Sequence, residues 1–172
     1  MNSAPSSAKP PLPEEAPVSD APGPSFLTRL FGSGLFSGYA PFASGTVGSA
    51  VGLALYWIPG FERPEWIIPV TALALFFGVL ASTRMERAYG HDPSQVTIDE
   101  VVGMWISLLL VPKTLPVSVV GFIIFRALDI VKPPPARRFD RMAGGAGIML
   151  DDVVAGLYTN ILLRLLLALG FL

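Results

Sequence analysis

The sequence predicts an all-α protein, a multi-pass membrane helical bundle, and three observations support this fold class. Of the 172 residues, 52% are hydrophobic, and the mean hydropathy is +0.58. Only 15% are charged, against roughly 25% in an average soluble domain. The apolar residues gather in five stretches, at about 46–60, 66–82, 101–111, 115–126 and 153–172. We therefore divide the chain into a tail (1–24) and one membrane helical domain (25–172).

The first 24 residues are predicted to be a disordered tail. They are rich in proline and contain no apolar run, so they cannot bury enough surface to offset the entropy lost on ordering. A secretory signal is not expected here, because a basic start followed by an apolar core is missing. We expect the short apolar piece at 25–36 to lie at the membrane interface.

The lengths of the five apolar stretches decide which of them can span a bilayer. A membrane-spanning helix needs about 20 residues. The stretches at 66–82 and 153–172 qualify outright. The stretch at 46–60 reaches this length when the small residues from Gly45 onward are added, since small residues are tolerated in packed membrane helices.

The two short stretches, 101–111 and 115–126, could be fused into one crossing. Pro112, Lys113 and Pro116 would then interrupt backbone hydrogen bonding where no water replaces it. We therefore predict a helical hairpin, either re-entrant or fully crossing, with Lys113 at its far turn.

The charged residues sort to two sides of this bundle. With the tail on the near side, the far connections 61–65 and 112–114 carry only Arg63 and Lys113 as cations. The near side carries Arg84, Arg87, Arg126, Lys132, Arg137, Arg138 and Arg141. Because Lys and Arg accumulate in cytoplasmic loops, we expect the near side to face the cytoplasm.

Two pairs of adjacent acids precede apolar stretches on the near side. Asp99 and Glu100 precede VVGMWISLLL, and Asp151 and Asp152 precede VVAGLYTNILL. Helix capping needs only one acid at each place, whereas two adjacent acids beside an apolar slab repel each other. A divalent cation would relieve this repulsion, and purely oxygen ligands favour Mg²⁺ over Zn²⁺. We therefore prefer a metal site to simple capping.

A third charged motif follows in FRALDIVKPPP. Arg126 and Asp129 stand three residues apart, so on a helix they share a face and can form a structural ion pair. Together with Lys132, they could instead hold a phosphate beside a metal ion. The spacing alone favours neither alternative.

Two glycine-rich segments, GYAPFASGTVGS at 38–49 and GGAGIMLDD at 144–152, complete the near side. Glycine lets backbone amides approach an anion, and both segments lead into predicted helices whose N-termini attract phosphate. The alternative is that these glycines only make turns and allow tight helix packing. Neither segment is a Walker loop.

Composition excludes several functional classes. The chain has no cysteine and a single histidine, His91, so thiol chemistry, iron–sulfur clusters and two-histidine phosphatase mechanisms are excluded within one chain. The 12 basic and 13 acidic residues give no basic field, and we expect no nucleic-acid partner. Carboxylates must therefore carry any chemistry.

Four strings in this order, GYAPFASGTVGS, DPSQVTIDEVVG, FRALDIVKPPP and GGAGIMLDDVVAG, resemble the phosphatidylglycerophosphatase A family. The resemblance runs from about Gly38 to Gly156. It implies an all-helical enzyme of the bacterial inner (cytoplasmic) membrane that acts in phospholipid biosynthesis. The implied reaction is Mg²⁺-dependent hydrolysis of phosphatidylglycerophosphate to phosphatidylglycerol and phosphate, with the active site facing the cytoplasm.

The resemblance falls on the charged positions already selected. As metal ligands we expect Asp99, Glu100, Asp151 and Asp152. We expect Arg126, Lys132 and Thr46 to bind phosphate. Asp129 would orient Arg126 or activate the attacking water, and Asp99 and Glu100 also count as catalytic. A phospho-aspartate intermediate and direct attack by water both remain open, and nothing in the sequence fixes the oligomeric state.

Two other classes compete with an enzyme. A small membrane transporter would place acids along helix interiors on both sides of the midplane, whereas here they gather at one end. In a noncatalytic membrane scaffold, the acids would only cap helices.

Overall fold

The structure, a computed structural model, describes residues 23–172, and every regular element in this range is helical. The all-α prediction is thus confirmed for the described residues, whereas nearly all of the predicted tail lies outside them. The helices are α1 (Phe26–Gly32), α2 (Ser44–Tyr56), α3 (Pro64–Tyr89), α4 (Ile98–Ser107), α5 (Leu115–Val131), α6 (Ala136–Phe139) and α7 (Gly145–Ala168). A single 3₁₀ turn, Ser37–Tyr39, lies between α1 and α2.

Helix α4 lies at the centre of the bundle. It packs against α2, α3, α5 and α7, and nine of its ten residues are buried. A helix buried on all sides requires close neighbours, and glycines provide the room. A Cβ atom on Gly156 of α7 would lie 2.6 Å from the carbonyl oxygen of Gly103 in α4. The indole of Trp105, a buried core residue, donates a hydrogen bond to the carbonyl of Gly52 at 2.9 Å.

Helices α3 and α7 are long and apolar enough to cross a membrane by length and composition. They correspond to the two stretches predicted to span outright. Helix α2 has 13 residues and is therefore about 20 Å long, against a hydrocarbon core of about 30 Å. The expectation that the first stretch reaches spanning length is therefore wrong.

The predicted hairpin is present as α4 and α5, which are separate helices joined by residues 108–114. In this connection, Lys113 donates hydrogen bonds to Glu62 at 2.7 Å and to the carbonyl of Ile58 at 3.0 Å. The α2–α3 and α4–α5 connections therefore meet at one end of the bundle, which we call the far end. The N-terminus of α4 and the C-terminus of α5 meet at the opposite, near end.

At the near end, helices α3, α5 and α7 continue well beyond the apolar stretches that predicted them. Helix α7 begins at Gly145, so the expectation that a helix begins just after Asp152 is wrong. The reason lies in α3, where Glu86 accepts a hydrogen bond from the Gly144 N–H at 2.7 Å and Thr83 accepts one from the Gly145 N–H at 3.0 Å. Asp151 and Asp152 therefore lie inside a helix and cannot be its N-caps.

Arg164, a cation within the last apolar stretch of the sequence, bridges α7 to the end of α4. It donates to Asn160 Oδ1 at 2.8 Å and to the carbonyls of Leu109 and Leu110 at 3.1 and 3.2 Å. Asn160 donates to the Leu109 carbonyl as well, at 2.8 Å. These side chains satisfy carbonyls left open where a helix stops inside an apolar bundle.

Candidate active site at the near end

A polar cavity of about 270 Å³ opens at the near end of the bundle. Helices α4, α5 and α7 and the connection between α3 and α4 supply most of its wall. Its charged lining residues are Asp92, Asp99, Glu100, Asp129, Lys132, Asp151 and Asp152. The structure thus brings together acids from segments of the chain that are far apart in sequence.

Three of these acids form a closer cluster, which we call the acid triad: Glu100, Asp129 and Asp152. Each residue offers a carboxylate oxygen, and these oxygens lie within 4.8 Å of one another. One oxygen of Asp152, Oδ2, is buried and has no hydrogen-bond partner. An unpaired buried carboxylate oxygen is costly, and a divalent cation bound to the triad would compensate it. The donor set therefore fits a hard metal ion.

Arg126 of α5 lies against the triad. Its guanidinium contacts the Glu100 carboxylate and lies 3.0 Å from Asp129 Oδ2. The ion pair expected from the three-residue spacing is therefore present, and it includes a third residue. One guanidinium nitrogen, Nε, is buried without a partner, so part of its donor capacity is unused.

Ser49 of α2 contacts the same Glu100 oxygen as Arg126 does. The fully buried Ser49 hydroxyl donates to Glu100 Oε2 at 3.0 Å. Gly45, one turn earlier, lies so close that a Cβ atom there would collide with the Glu100 carboxylate. These contacts show that Gly45 and Ser49 pack directly against the site, in line with the tight-packing alternative for this segment.

Lys132 follows the last turn of α5 in a left-handed conformation, with φ of 49°. It donates to Asp151 Oδ2 at 2.7 Å and also contacts the Asp140 carboxylate. Burial lowers the pKa of Lys132, but the hydrogen bonds to these two carboxylates outweigh it, so the pKa is raised and the lysine stays charged. Asp151 is therefore neutralised by an ion pair, unlike its neighbour in sequence, Asp152.

The two acids in the first turn of α4 have raised pKa values. Burial raises the pKa of Asp99 well above its usual range, and repulsion from Glu100 and Asp151 adds to this rise. Burial and the charge of Asp129 raise the pKa of Glu100 to about 7, although Arg126 opposes the rise. Because the carboxylates outnumber the cations, a bound cation would favour their ionised forms.

Seven of the eight residues proposed from the sequence meet around this cavity, namely Asp99, Glu100, Arg126, Asp129, Lys132, Asp151 and Asp152. The eighth, Thr46, is exposed and is not among the cavity-lining residues, so its role in phosphate binding stays a prediction. Asp129 lies in the triad, whereas from the sequence we expect it to orient Arg126 or to activate the attacking water. Ser49 and Asp140, the partners of Glu100 and Lys132, were not assigned roles.

A family model described as phosphatidylglycerophosphatase A matches residues 30–167. The chain belongs to the phosphatidylglycerophosphatase A family. The matched range includes every residue that lines the acid cavity. The resemblance carried by the four strings is thus confirmed, and with it the prediction of an enzyme of this family.

Three similar proteins carry two different names, phosphatidylinositol-3-phosphatase and phosphatidylglycerophosphatase A. A Bacteroides thetaiotaomicron protein, provisionally named a phosphatidylinositol-3-phosphatase, is 42% identical over 148 residues, which are 81% of this chain and 93% of the relative. The phosphatidylglycerophosphatase A of Escherichia coli is 37% identical over 131 residues, 74% of this chain and 76% of the relative. That of Haemophilus influenzae is 35% identical over 135 residues, 76% and 80% of the two chains. No solved structure matches.

Proposed function

We propose that this protein is a Mg²⁺-dependent phosphatidylglycerophosphatase of the bacterial inner membrane. It would hydrolyse phosphatidylglycerophosphate to phosphatidylglycerol and phosphate, as a step of phospholipid biosynthesis. The single observation that carries the mechanism is the acid triad with an unpartnered buried oxygen, beside Arg126 and Lys132. The choice of phosphatidylglycerophosphate as the substrate rests on membership of the family.

Glu100, Asp129 and Asp152 are the residues that would hold Mg²⁺, and Asp99 and Asp151 line the same cavity as further oxygen donors. When bound, Mg²⁺ would neutralise charge on the phosphoryl oxygens and on the leaving alkoxide. Ser49 and Arg126 contact Glu100 from two helices and would keep its carboxylate directed at the cavity.

Arg126 and Lys132 would bind the phosphate oxygens. Both stay charged, and a guanidinium beside an ammonium suits a doubly charged phosphate monoester. Lys132 contacts Asp140 and Asp151, so its ammonium group lies at the cavity wall and can turn toward a phosphate without leaving Asp151.

Asp99 would take the proton of the attacking water. Among the described residues, its side chain accepts one hydrogen bond, from the Glu100 N–H at 3.0 Å, and no salt bridge to it is found. Its carboxylate therefore keeps acceptor capacity for the proton of a water molecule. The water oxygen would bond to phosphorus as the phosphorus–glycerol oxygen bond breaks, and the proton would pass to the glycerol alkoxide.

Hydrolysis in isotopically labelled water separates this route from a phospho-aspartate route that ends with attack on the aspartyl carbon. Attack on phosphorus labels the released phosphate in both routes, so that case needs the trapping of a phosphorylated protein. In a single turnover, direct attack places the label in the released phosphate. A phospho-aspartate route leaves that phosphate unlabelled when the water attacks the aspartyl carbon, and labels a carboxylate instead. Trapping an acid-stable or hydroxylamine-sensitive phosphorylated protein would likewise support the covalent route.

The position of the site explains how a lipid can be its substrate. The two long apolar helices run from the near end to the far end, and the cavity lies at the near end, where the basic residues gather. A phosphorylated head group at the cytoplasmic surface would enter the cavity while its acyl chains stay in the bilayer. The enzyme would then act without lifting the lipid out of the membrane.

Phosphatidylinositol 3-phosphate is a second candidate substrate. It is suggested by the name of the Bacteroides relative, which is 42% identical to this chain. Both lipids carry a phosphate monoester on the head group, and the acid cavity would contact the phosphate in either case.

Phosphate release by the purified full-length protein tests these proposals. We expect release from phosphatidylglycerophosphate with Mg²⁺, little release after chelation, and slower release from phosphatidylinositol 3-phosphate. Faster release from the inositol lipid would reassign the substrate. Release that is unaffected by chelation would remove the metal from the mechanism, and no release from either lipid would favour a transporter or scaffold.

A further inference from the structure

An apolar groove of about 500 Å³ lies on the side of α4 that faces away from the acid cavity. Helices α1, α2, α3 and α4 form its walls, and every lining residue is apolar or glycine. Its volume falls within the range of roughly 300–1,000 Å³ that is typical of ligand pockets. A groove without a polar group can recognise only an apolar ligand.

The groove runs parallel to the helix axes. Ile98, Val101 and Trp105 line it from α4, and Val70 and Phe77 line it from α3. On each helix these positions are about seven residues apart, so they form stripes about 10 Å long down one face. Since α3 is one of the two helices long enough to cross a membrane, the groove points along the direction in which a lipid chain lies.

The near end of the groove meets the wall of the acid cavity. Ile98 lines the groove, and the next two residues of α4, Asp99 and Glu100, line the cavity. A Cβ atom on Gly34, at the groove, would lie 3.1 Å from Thr97 Oγ1. Thr97 thus separates the end of the groove from the turn that carries Glu100.

We propose that this groove holds one acyl chain of the same lipid whose phosphate enters the acid cavity. The proposal rests on the proposed function, because it requires a phospholipid substrate. The first turn of α4 would then divide the substrate, with the head group on its acidic side and a chain on its apolar side. Rate and affinity should therefore depend on chain length, although the chain takes no part in the reaction.

The first test measures contact directly and needs no turnover. In a variant with Trp57→Phe and Trp66→Phe, Trp105 is the remaining tryptophan, and it lines the groove. Phosphatidylglycerophosphate with brominated chains should quench Trp105 fluorescence at saturable, low lipid fractions, and the unbrominated lipid should reverse this. Equal quenching by brominated phosphatidylcholine would show that bulk lipid fills the groove and would overturn the proposal.

The second test fills the groove. Ala74→Phe adds a ring inside it, and Leu73→Trp adds one at its exposed rim, where folding is not at risk. We expect kcat/KM for a long-chain substrate to fall about ten-fold, mainly through KM, and kcat/KM for a dihexanoyl substrate to stay within about two-fold. Leu80→Trp, on α3 outside the groove, is the matched control and should change neither.

The outcomes separate this proposal from the proposed function. Equal losses on both substrates, or no loss on either, would overturn the acyl-chain site while leaving the phosphatase in place. A change in oligomeric state without altered chain-length dependence would assign the groove to a second copy of the chain. Absence of phosphate release from both the long-chain and the dihexanoyl substrate in the wild-type protein would instead contradict the proposed function, and quenching of Trp105 would still report on the groove.

Discussion

Asp151 and Asp152 are neighbours in sequence, yet their surroundings differ sharply. Lys132 pairs with Asp151 at 2.7 Å, whereas Asp152 is 2% exposed and keeps one oxygen without a partner. A lone buried carboxylate oxygen is destabilising, and a bound cation would offset this cost.

Replacing this carboxylate should have opposite effects on activity and stability. We expect Asp152→Asn to lower Mg²⁺-dependent phosphate release by more than about a hundred-fold, since it removes a proposed metal ligand. In chelator, the same variant should melt at a higher temperature than the wild type, because one buried negative charge is gone. Phosphate release and thermal unfolding in detergent measure the two effects.

Glu65→Gln, an exposed acid in the first turn of α3 at the far end, is the control for this change and should alter neither quantity. Full activity of Asp152→Asn would dismiss the triad as the metal site.

Ser49 should act as a positioning residue. Ser49→Ala removes the hydroxyl that donates to Glu100 Oε2 at 3.0 Å, and loss of such a supporting hydrogen bond costs about 10–100-fold in activity or metal affinity. We expect a higher Mg²⁺ concentration for half-maximal activity. Ser107→Ala is a matched control, because Ser107 is equally buried and its hydroxyl donates to the Gly103 carbonyl of its own helix. Equal effects of both variants would indicate a packing role only.

His91 should give a small pH dependence of stability. Its hydrogen bond to Glu86, at 2.8 Å, raises the pKa of His91. A raised pKa in the folded state contributes stability that is full below the unfolded pKa of about 6.5 and is lost as pH rises through the folded pKa. We therefore expect His91→Gln to melt below the wild type at pH 6 and together with it at pH 9. An identical difference at both pH values would contradict this assignment.

Individual site residues were predictable to different degrees. The acids, Arg126 and Lys132 could be selected because the chain has no cysteine and one histidine, and because they lie in recognisable strings. Ser49 and Asp140 could not, since each acts on a residue that approaches only after folding. The grouping of Asp129 with Glu100 and Asp152 likewise depends on how three helices cross.

At the scale of helices, hydropathy locates apolar surface and misses helical ends that are polar. The apolar stretches expected at about 115–126 and 153–172 correspond to α5 at Leu115–Val131 and α7 at Gly145–Ala168. The extra turns carry Asp129, Asp151 and Asp152. Their helical state depends on contacts between helices, such as the hydrogen bond between Glu86 and Gly144, which no local pattern reveals.

The crossing of α4 and α7 should set the spacing of the triad. A Cβ atom on Gly156 would lie 2.6 Å from the Gly103 carbonyl oxygen and 3.1 Å from Ile106 Cβ. Gly156→Val should therefore destabilise the protein by about 1–3 kcal/mol and reduce activity more than stability predicts, because Asp152 moves away from Glu100. Urea unfolding and phosphate release measure the two. Ala168→Val, at the exposed end of α7, should be neutral in both.

For the whole molecule, the alternation of helix directions sorts the connections between two ends. The order of the five apolar stretches predicted this, and the contact of Lys113 with Glu62 agrees with it. The sequence predicts one long helix too many, because α2 ends at Tyr56. The apolar face of α2 packs against α4.

Orientation in the membrane can be tested because the chain has no cysteine. Arg138→Cys places a thiol on an exposed residue at the near end, and Glu65→Cys places one at the far end. With a thiol reagent that cannot cross the inner membrane, we expect Glu65→Cys to react in intact cells and Arg138→Cys only after permeabilisation. The reverse pattern would put the acid cavity outside the cytoplasm.

The short α4 is matched by charges at both ends. Its first turn carries Asp99 and Glu100, and the guanidinium of Arg164 contacts the carbonyls of Leu109 and Leu110 just beyond its last turn. A helix has a macrodipole whose positive end is the N-terminus, so this end adds a fractional positive charge next to the cavity. The attraction between this positive helix end and an anionic ligand increases with the charge of the ligand. Once a divalent cation offsets the carboxylates, a terminal phosphate, which carries about two negative charges near neutral pH, would be favoured over the singly charged diesters of the surrounding membrane surface.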